Sequence, residues 1–165
     1  MHASDVMTAN PAVVTPDTSL ADAATLMRVR NVGLLPVVHD VTSMRLVGVI
    51  TDRDLVVRGV ADRCDSQQAV KYCMTPVPVQ TTTPAADIHE VIRQMEQWQI
   101  RRIPVVGADG RVLGIVSQGD LALRVGPLEP LLVEEFVARV SAPARGLINH
   151  ATMPSGPNSF LLPVR

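Results

Sequence analysis

One seven-residue junction occurs twice in this chain. Gly48-Val49-Ile50-Thr51-Asp52-Arg53-Asp54 returns about 66 residues later as Gly114-Ile115-Val116-Ser117-Gln118-Gly119-Asp120. Each copy runs glycine, two β-branched residues, a hydroxyl residue, two spacers and an aspartate. A duplication at fixed period constrains the fold more than any single residue, because each unit must complete its core against its neighbour. It also places a hydroxyl and a carboxylate at a helix start twice, where free backbone N–H groups favour phosphate and ribose.

The duplication extends well beyond the junction. Met7-Thr8 matches Met74-Thr75 at an offset of 67, and Leu20, Ala23, Ala24 and Met27 match Ile88, Val91, Ile92 and Met95 at 68. Pro36-Val37-Val38 matches Pro104-Val105-Val106, again at 68, and the junctions match at 66. Each change of offset falls in an expected loop. The first hairpin, between Val38 and Gly48, is two residues longer than the second.

Each copy reads β-α-β-β-α. A short strand (Val13-Val14; Val77 to Gln80) leads through a Thr/Pro turn into a helix with apolar residues at i, i+3, i+4 and i+7, which gives one apolar face. Asp17, Thr18 or Ser19 can cap the first helix, and Asp87 lies in the first turn of the second. A buried strand follows (Leu34 to Val38; Ile103 to Val106). Asp109-Gly110 signals a hairpin. The last strand (Arg45 to Ile50; Val112 to Val116) runs into a short helix starting at Thr51 or Ser117. Boundaries follow: repeat one over 5–60, a linker over 61–73 and repeat two over 74–125. A C-terminal amphipathic helix spans 128–141, and a Pro/Gly-rich, flexible tail 142–165.

Charge and composition exclude several functions. Net charge is −1 and aromatics are 2% of residues, so neither a phosphate-tracking basic surface nor a base-stacking platform is expected. The core must be aliphatic, because 47% of residues are nonetheless hydrophobic. No apolar run is long enough to cross a membrane, and the first residues lack signal-peptide character, so a cytoplasmic location is expected. Cys64 and Cys73 read as reduced thiols. His2, His39, His89 and His150 are scattered, which gives no metal site. No nucleophile–base pair and no phosphate-binding glycine loop of the NTPase type is present, so an enzyme is not expected.

The ordered set Asp5-Val6-Met7-Thr8, Pro36-Val37-Val38 and Leu46 to Asp54, with second copies from Cys73-Met74-Thr75-Pro76 through Asp120-Leu121, resembles the cystathionine-β-synthase-type (CBS) domain pair, or Bateman module. The resemblance implies an α+β fold of tandem CBS repeats with two small sheets packed together. It implies a regulatory, stand-alone module that binds an adenosine-containing ligand such as AMP, ADP, ATP or NAD between the repeats, with no obligatory cofactor. Homodimers and a downstream protein partner are also implied. The alternative is a structural module for dimerisation or partner docking, with empty clefts.

By this resemblance Asp54 and Asp120 contact ribose, and Thr51 and Ser117 lie near phosphate or ribose. Thr/Ser-x-x-Asp is equally the pattern of a capping box, and both readings stand from spacing alone. Arg101 and Arg102 reach phosphates or form a solvated strand edge; Arg53 does likewise or serves as a surface charge. Thr15, Val32, Ile50, Thr82, Ile100 and Ile115 are pocket walls or ordinary core. Gly48 and Gly114 permit close backbone approach or mark a bulge. The copies differ at Arg53/Gly119 and at Gly33-Leu34/Arg101-Arg102, which suggests that Arg53, Arg101 and Arg102 converge on shared phosphates and that the two clefts are unequal.

Overall fold

A computed structural model describes residues 1–142. The expected tail lies almost wholly outside the described residues. Two three-stranded antiparallel sheets form, in the orders β2-β3-β4 and β1-β6-β5. In the first, β2 (Leu34–Val38) pairs with β3 (Leu46–Thr51) in the register Pro36↔Val49; in the second, β5 (Arg102–Val106) pairs with β6 (Val112–Ser117) in the register Pro104↔Ile115. The duplication at an offset of 66 to 68 thus folds as two equivalent hairpins.

The third strand of each sheet comes from the other repeat. β1 (Thr8–Ala9) crosses to pair with β6, with Ala9 opposite Gly114, and β4 (Thr75–Pro76) returns to pair with β3, with Pro76 opposite Gly48. Both glycines are needed for close approach. A Cβ on Gly48 would lie 2.6 Å from the Thr75 carbonyl oxygen, and one on Gly114 would lie 3.0 Å from that of Thr8. The exchange carries core residues with it. The short helix α1 (Ala3–Val6) buries Ala3 and Val6 in the second repeat's core, while Val70 and Cys73 of the linker lie in the first repeat's core.

Residues 13–14 and 77–80, expected as strands, do not form ladders. Val14 and Thr82 instead make single parallel bridges to Val37 and Val105. Pro11 and Pro16 flank the first segment, and Pro76 precedes the second while Pro78 lies within it; without an N–H to donate, they interrupt any longer ladder.

The helices follow their sequence signals closely. α2 (Leu20–Arg30) is capped by Ser19, whose side chain accepts from the Asp22 N–H, and it buries Leu20, Ala23 and Met27. α4 (Ile88–Gln97) buries Ile88, Val91, Ile92 and Met95; Asp87 is its N-cap and accepts from the His89 N–H, one position earlier than expected. α3 (Asp52–Asp54) runs into a π-helical turn, Leu55–Val60, whereas its counterpart α5 (Gln118–Arg124) is a regular α-helix.

The last helix, α6 (Pro130–Ser141), starts two residues later than expected because Pro130 takes the first helical position. It buries Val133, Phe136 and Val140 against the second repeat, which supplies its cover. Three polar contacts fasten this helix: Arg139 bonds Glu96 at 2.9 Å, Gln99 Nε2 donates to the Arg139 carbonyl at 3.0 Å, and His89 meets Glu129, just before the helix, at 2.9 Å.

Candidate functional site

The repeated junction builds the same cap twice. In the first copy the Thr51 N–H and hydroxyl both donate to Asp54 Oδ2, at 2.9 and 2.7 Å, and the Asp54 N–H donates back to Thr51 Oγ1 at 3.1 Å. In the second copy the Ser117 N–H and hydroxyl donate to Asp120 Oδ2, and the Asp120 N–H donates to Ser117 Oγ. Capping therefore uses one carboxylate oxygen and leaves Oδ1 for another partner. At Asp120 that partner is the Thr8 hydroxyl, at 2.9 Å. The strand exchange delivers it, since Thr8 lies on β1.

Asp120, like Thr8, lines a cleft of about 1010 Å³ between the repeats. This is at the upper end of the range for small-molecule sites. One wall is apolar and comes from the first repeat: Ala12, Val13, Leu26 and Val32. The opposite wall carries Ile115, Ser117, Gly119 and Asp120. Arg30, Arg101 and Arg102 also line the cleft, beside Asn10 and Asn31. Arg30 and Asn31 come from the C-terminal end of α2, where Asn31 takes a left-handed conformation that turns the chain toward β2.

The charge balance of this cleft is strongly positive. Three guanidinium groups face one carboxylate, and no ion pair among the described residues engages Arg30, Arg101 or Arg102. Gly33 lies at the same rim. A Cβ there would come within 2.7 Å of an Asp52 carboxylate oxygen and 2.9 Å of an Arg102 nitrogen, so a side chain at this position would displace the ends of those two side chains. A smaller recess of about 320 Å³, lined by Asp52, Arg28 and Arg102, adjoins it.

The sequence-derived candidates divide into two groups. Ser117, Asp120, Arg101, Arg102, Val32 and Ile115 all line the large cleft. Thr51, Arg53, Asp54, Thr15, Ile50, Thr82 and Ile100 line neither cavity. Ile50 is fully buried in the first core, and Ile100 packs on the second. Thr82 is buried and its backbone bridges to β5, while the Thr15 N–H is bonded to Thr18 Oγ1 at 3.0 Å. Arg53 is exposed and lines neither cavity, whereas Asp52 beside it shares the smaller recess with Arg102.

Sequence reasoning missed Thr8, Asn10, Arg30, Asn31 and the apolar Ala12, Val13 and Leu26. Arg30 ends an amphipathic helix, where a basic residue is ordinary, so no local signal marked it. Thr8 was visible in the repeated Met-Thr pair, but its role depends on the strand exchange. Both cysteines are free, and burial pushes the Cys73 thiol up from its ordinary value.

Comparison with known proteins places this fold in a family. The CBS domain family profile matches residues 3–59 and 70–126. The chain belongs to the CBS domain family. It is 41% identical over 119 residues to the uncharacterized protein YlbB of Bacillus subtilis, covering 72% of this chain and 78% of that protein. The crystal structure of CBSX2 in complex with AMP superposes with a TM-score of 0.67 at 28% identity, covering 78% of this chain and 98% of the other. The CBS domain pair of protein MJ0100, in complex with 5'-methylthioadenosine and S-adenosyl-L-methionine, gives a TM-score of 0.67 at 26% identity, covering 77% and 97%.

Proposed function

We propose that this protein is a regulatory module, not a catalyst, that binds an anionic adenosine-containing nucleotide in the Asp120 cleft. The observation that carries this reading is the composition of the cleft. An apolar wall suits a flat base, and a carboxylate with one oxygen outside the cap suits a ribose diol. Arg30, Arg101 and Arg102, without ion-pair partners among the described residues, suit phosphate. Relatives crystallised with AMP and with adenosyl ligands support the ligand class.

Because the cleft is built from both repeats, a ligand that fills it couples their relative position to nucleotide level. A partner protein then reads the state that the ligand favours, which requires differential affinity for two states. A homodimer in the cytoplasm is the setting that this reading adopts.

Calorimetric titration of the full chain with AMP, ADP, ATP, NAD and adenosine tests the proposal. Binding of AMP that is tighter than that of adenosine, and that weakens with added salt, is expected from the arginine cluster. No binding across the whole set overturns it.

A further inference from the structure

The two junctions share a cap but differ at the second carboxylate oxygen. At Asp120, Oδ1 accepts from the neutral hydroxyl of Thr8 at 2.9 Å. At Asp54, Oδ1 faces the guanidinium of Arg58, with Nη1 at 3.5 Å. That guanidinium is anchored: Nη1 also donates to the Cys73 carbonyl and to Thr75 Oγ1, each at 3.1 Å. Thr75 is the counterpart of Thr8, so the hydroxyl that serves the carboxylate in one copy serves the arginine in the other.

The equivalent arginine of the second copy, Arg124, takes another course. Its Nη1 donates to the Val6 and Met7 carbonyls, at 2.7 and 2.9 Å, and makes no ion pair with Asp120. The helix geometry differs between the copies as well: Arg58 sits in the π-helical turn, and Arg124 in a regular α-helix.

We infer that Arg58 is a specificity-determining residue that keeps the Asp54 side from accepting a ribose, so that one chain takes one nucleotide, at Asp120. This rests on the reading of the Asp120 cleft given above. A ribose diol needs the carboxylate oxygen that the cap leaves over. At Asp120 a rotatable neutral hydroxyl yields that oxygen by turning its own hydrogen elsewhere. At Asp54 the ligand must displace a cation held by two further acceptors.

The walls differ in the same sense. At the positions equivalent to Ala12 and Leu26 stand Gln80 and Gln94, with the Gln94 amide donating to Gln80 Oε1 at 3.2 Å and to the Thr81 carbonyl at 3.1 Å. Val56 replaces Ala122, and Arg53 replaces Gly119. The Asp54 side is thus bulkier and less apolar where the Asp120 side is open.

The test is calorimetry with AMP on the full chain and on three variants, each first shown to be folded by circular dichroism and thermal melting. Wild type binds one AMP per chain, and D120N loses that event. In R58L/D120N a new event appears, weaker than the wild-type one, and adding D54N removes it. If Arg58→Leu unfolds the chain, Arg58→Gln replaces it, since a neutral amide can still donate to the Cys73 carbonyl or to Thr75 but sets no charge against Asp54. A wild-type chain that binds no AMP overturns both this inference and its parent reading. Loss on D120N without recovery in folded R58L/D120N overturns the role of Arg58 alone, as does a wild-type stoichiometry of two.

Discussion

Asp120→Asn separates the cap from the proposed ribose contact of one carboxylate. Its Oδ2 is held by the Ser117 N–H and hydroxyl, and its Oδ1 by the Thr8 hydroxyl at the edge of the cleft. The substitution preserves shape and removes charge. A hydrogen bond to a charged group contributes about 1.5–3 kcal/mol net, which corresponds to about a 10- to 100-fold loss in AMP affinity. The capping loss costs about 0.5–2 kcal/mol, read as a fall of a few degrees in melting temperature. Asp87→Ala is the control. It removes the N-cap of α4, which accepts from the His89 N–H at 2.9 Å, at a similar stability cost and away from the cleft. Calorimetry and thermal melting on both variants check the reasoning. Binding in D120N within about twofold of wild type, with the melting temperature lowered, would show that Asp120 is a cap and not a ribose contact.

Other perturbations probe the scaffold and its charges. Phe136 is fully buried in the second core, so Phe136→Ala is expected to cost about 3–5 kcal/mol in urea unfolding. An unchanged unfolding midpoint would show that α6 is not integral to that core. Gly48→Ala places a Cβ 2.6 Å from the Thr75 carbonyl oxygen and is expected to destabilise by about 1–3 kcal/mol, with faster amide exchange on β4. Arg102→Ala is expected to weaken AMP binding while leaving adenosine binding nearly unchanged, and equal losses for both ligands would remove phosphate from its role.

The His89 ring lies between Glu129 and Asp87, and hydrogen bonds to Glu129 first and then Asp87 raise its pKa above the ordinary 6.5. A raised folded-state value means that the stabilisation is fully present below the unfolded value and is lost as pH rises through the folded one. Melting temperature should therefore decline as pH rises above 6.5 in wild type, and the decline should flatten in His89→Gln. An identical pH profile in the variant would show that the α4–α6 contact does not depend on the imidazolium.

The duplicated junction made much of the architecture legible from local patterns. Leu20, Ala23 and Met27, spaced on one face, became the buried stripe of α2, and Leu34 to Val38 became β2 with its expected ends. The capping reading of Thr51–Asp54 and Ser117–Asp120 also appeared in full, because a capping box is a contact between residues three apart. Where the expectation failed, the causes were nearby prolines at residues 13–14 and non-local pairing at residues 8–9 and 75–76. Residues 13–14 looked like a strand by composition, yet their partners reach them only through one bridge. Residues 8–9 and 75–76 gave no strand signal and became strands, because a glycine on the opposite repeat admits them.

Half of the site was equally local. Ser117, Asp120, Arg101 and Arg102 were legible as a pattern, whereas Thr8 and Arg30 reach the cleft from other parts of the chain. The sequence by itself determined that there are two equivalent units, that their helix starts are capped by Thr51–Asp54 and Ser117–Asp120, and that their cores are aliphatic. All of these rest on contacts within a few residues or on composition. Only the tertiary structure decided that the units exchange strands, that the open cleft lies on the Asp120 side, and that the Thr8 hydroxyl meets the spare oxygen of Asp120. Those outcomes depend on segments up to 112 residues apart meeting in space, and nothing in the local pattern of either copy specifies its partner.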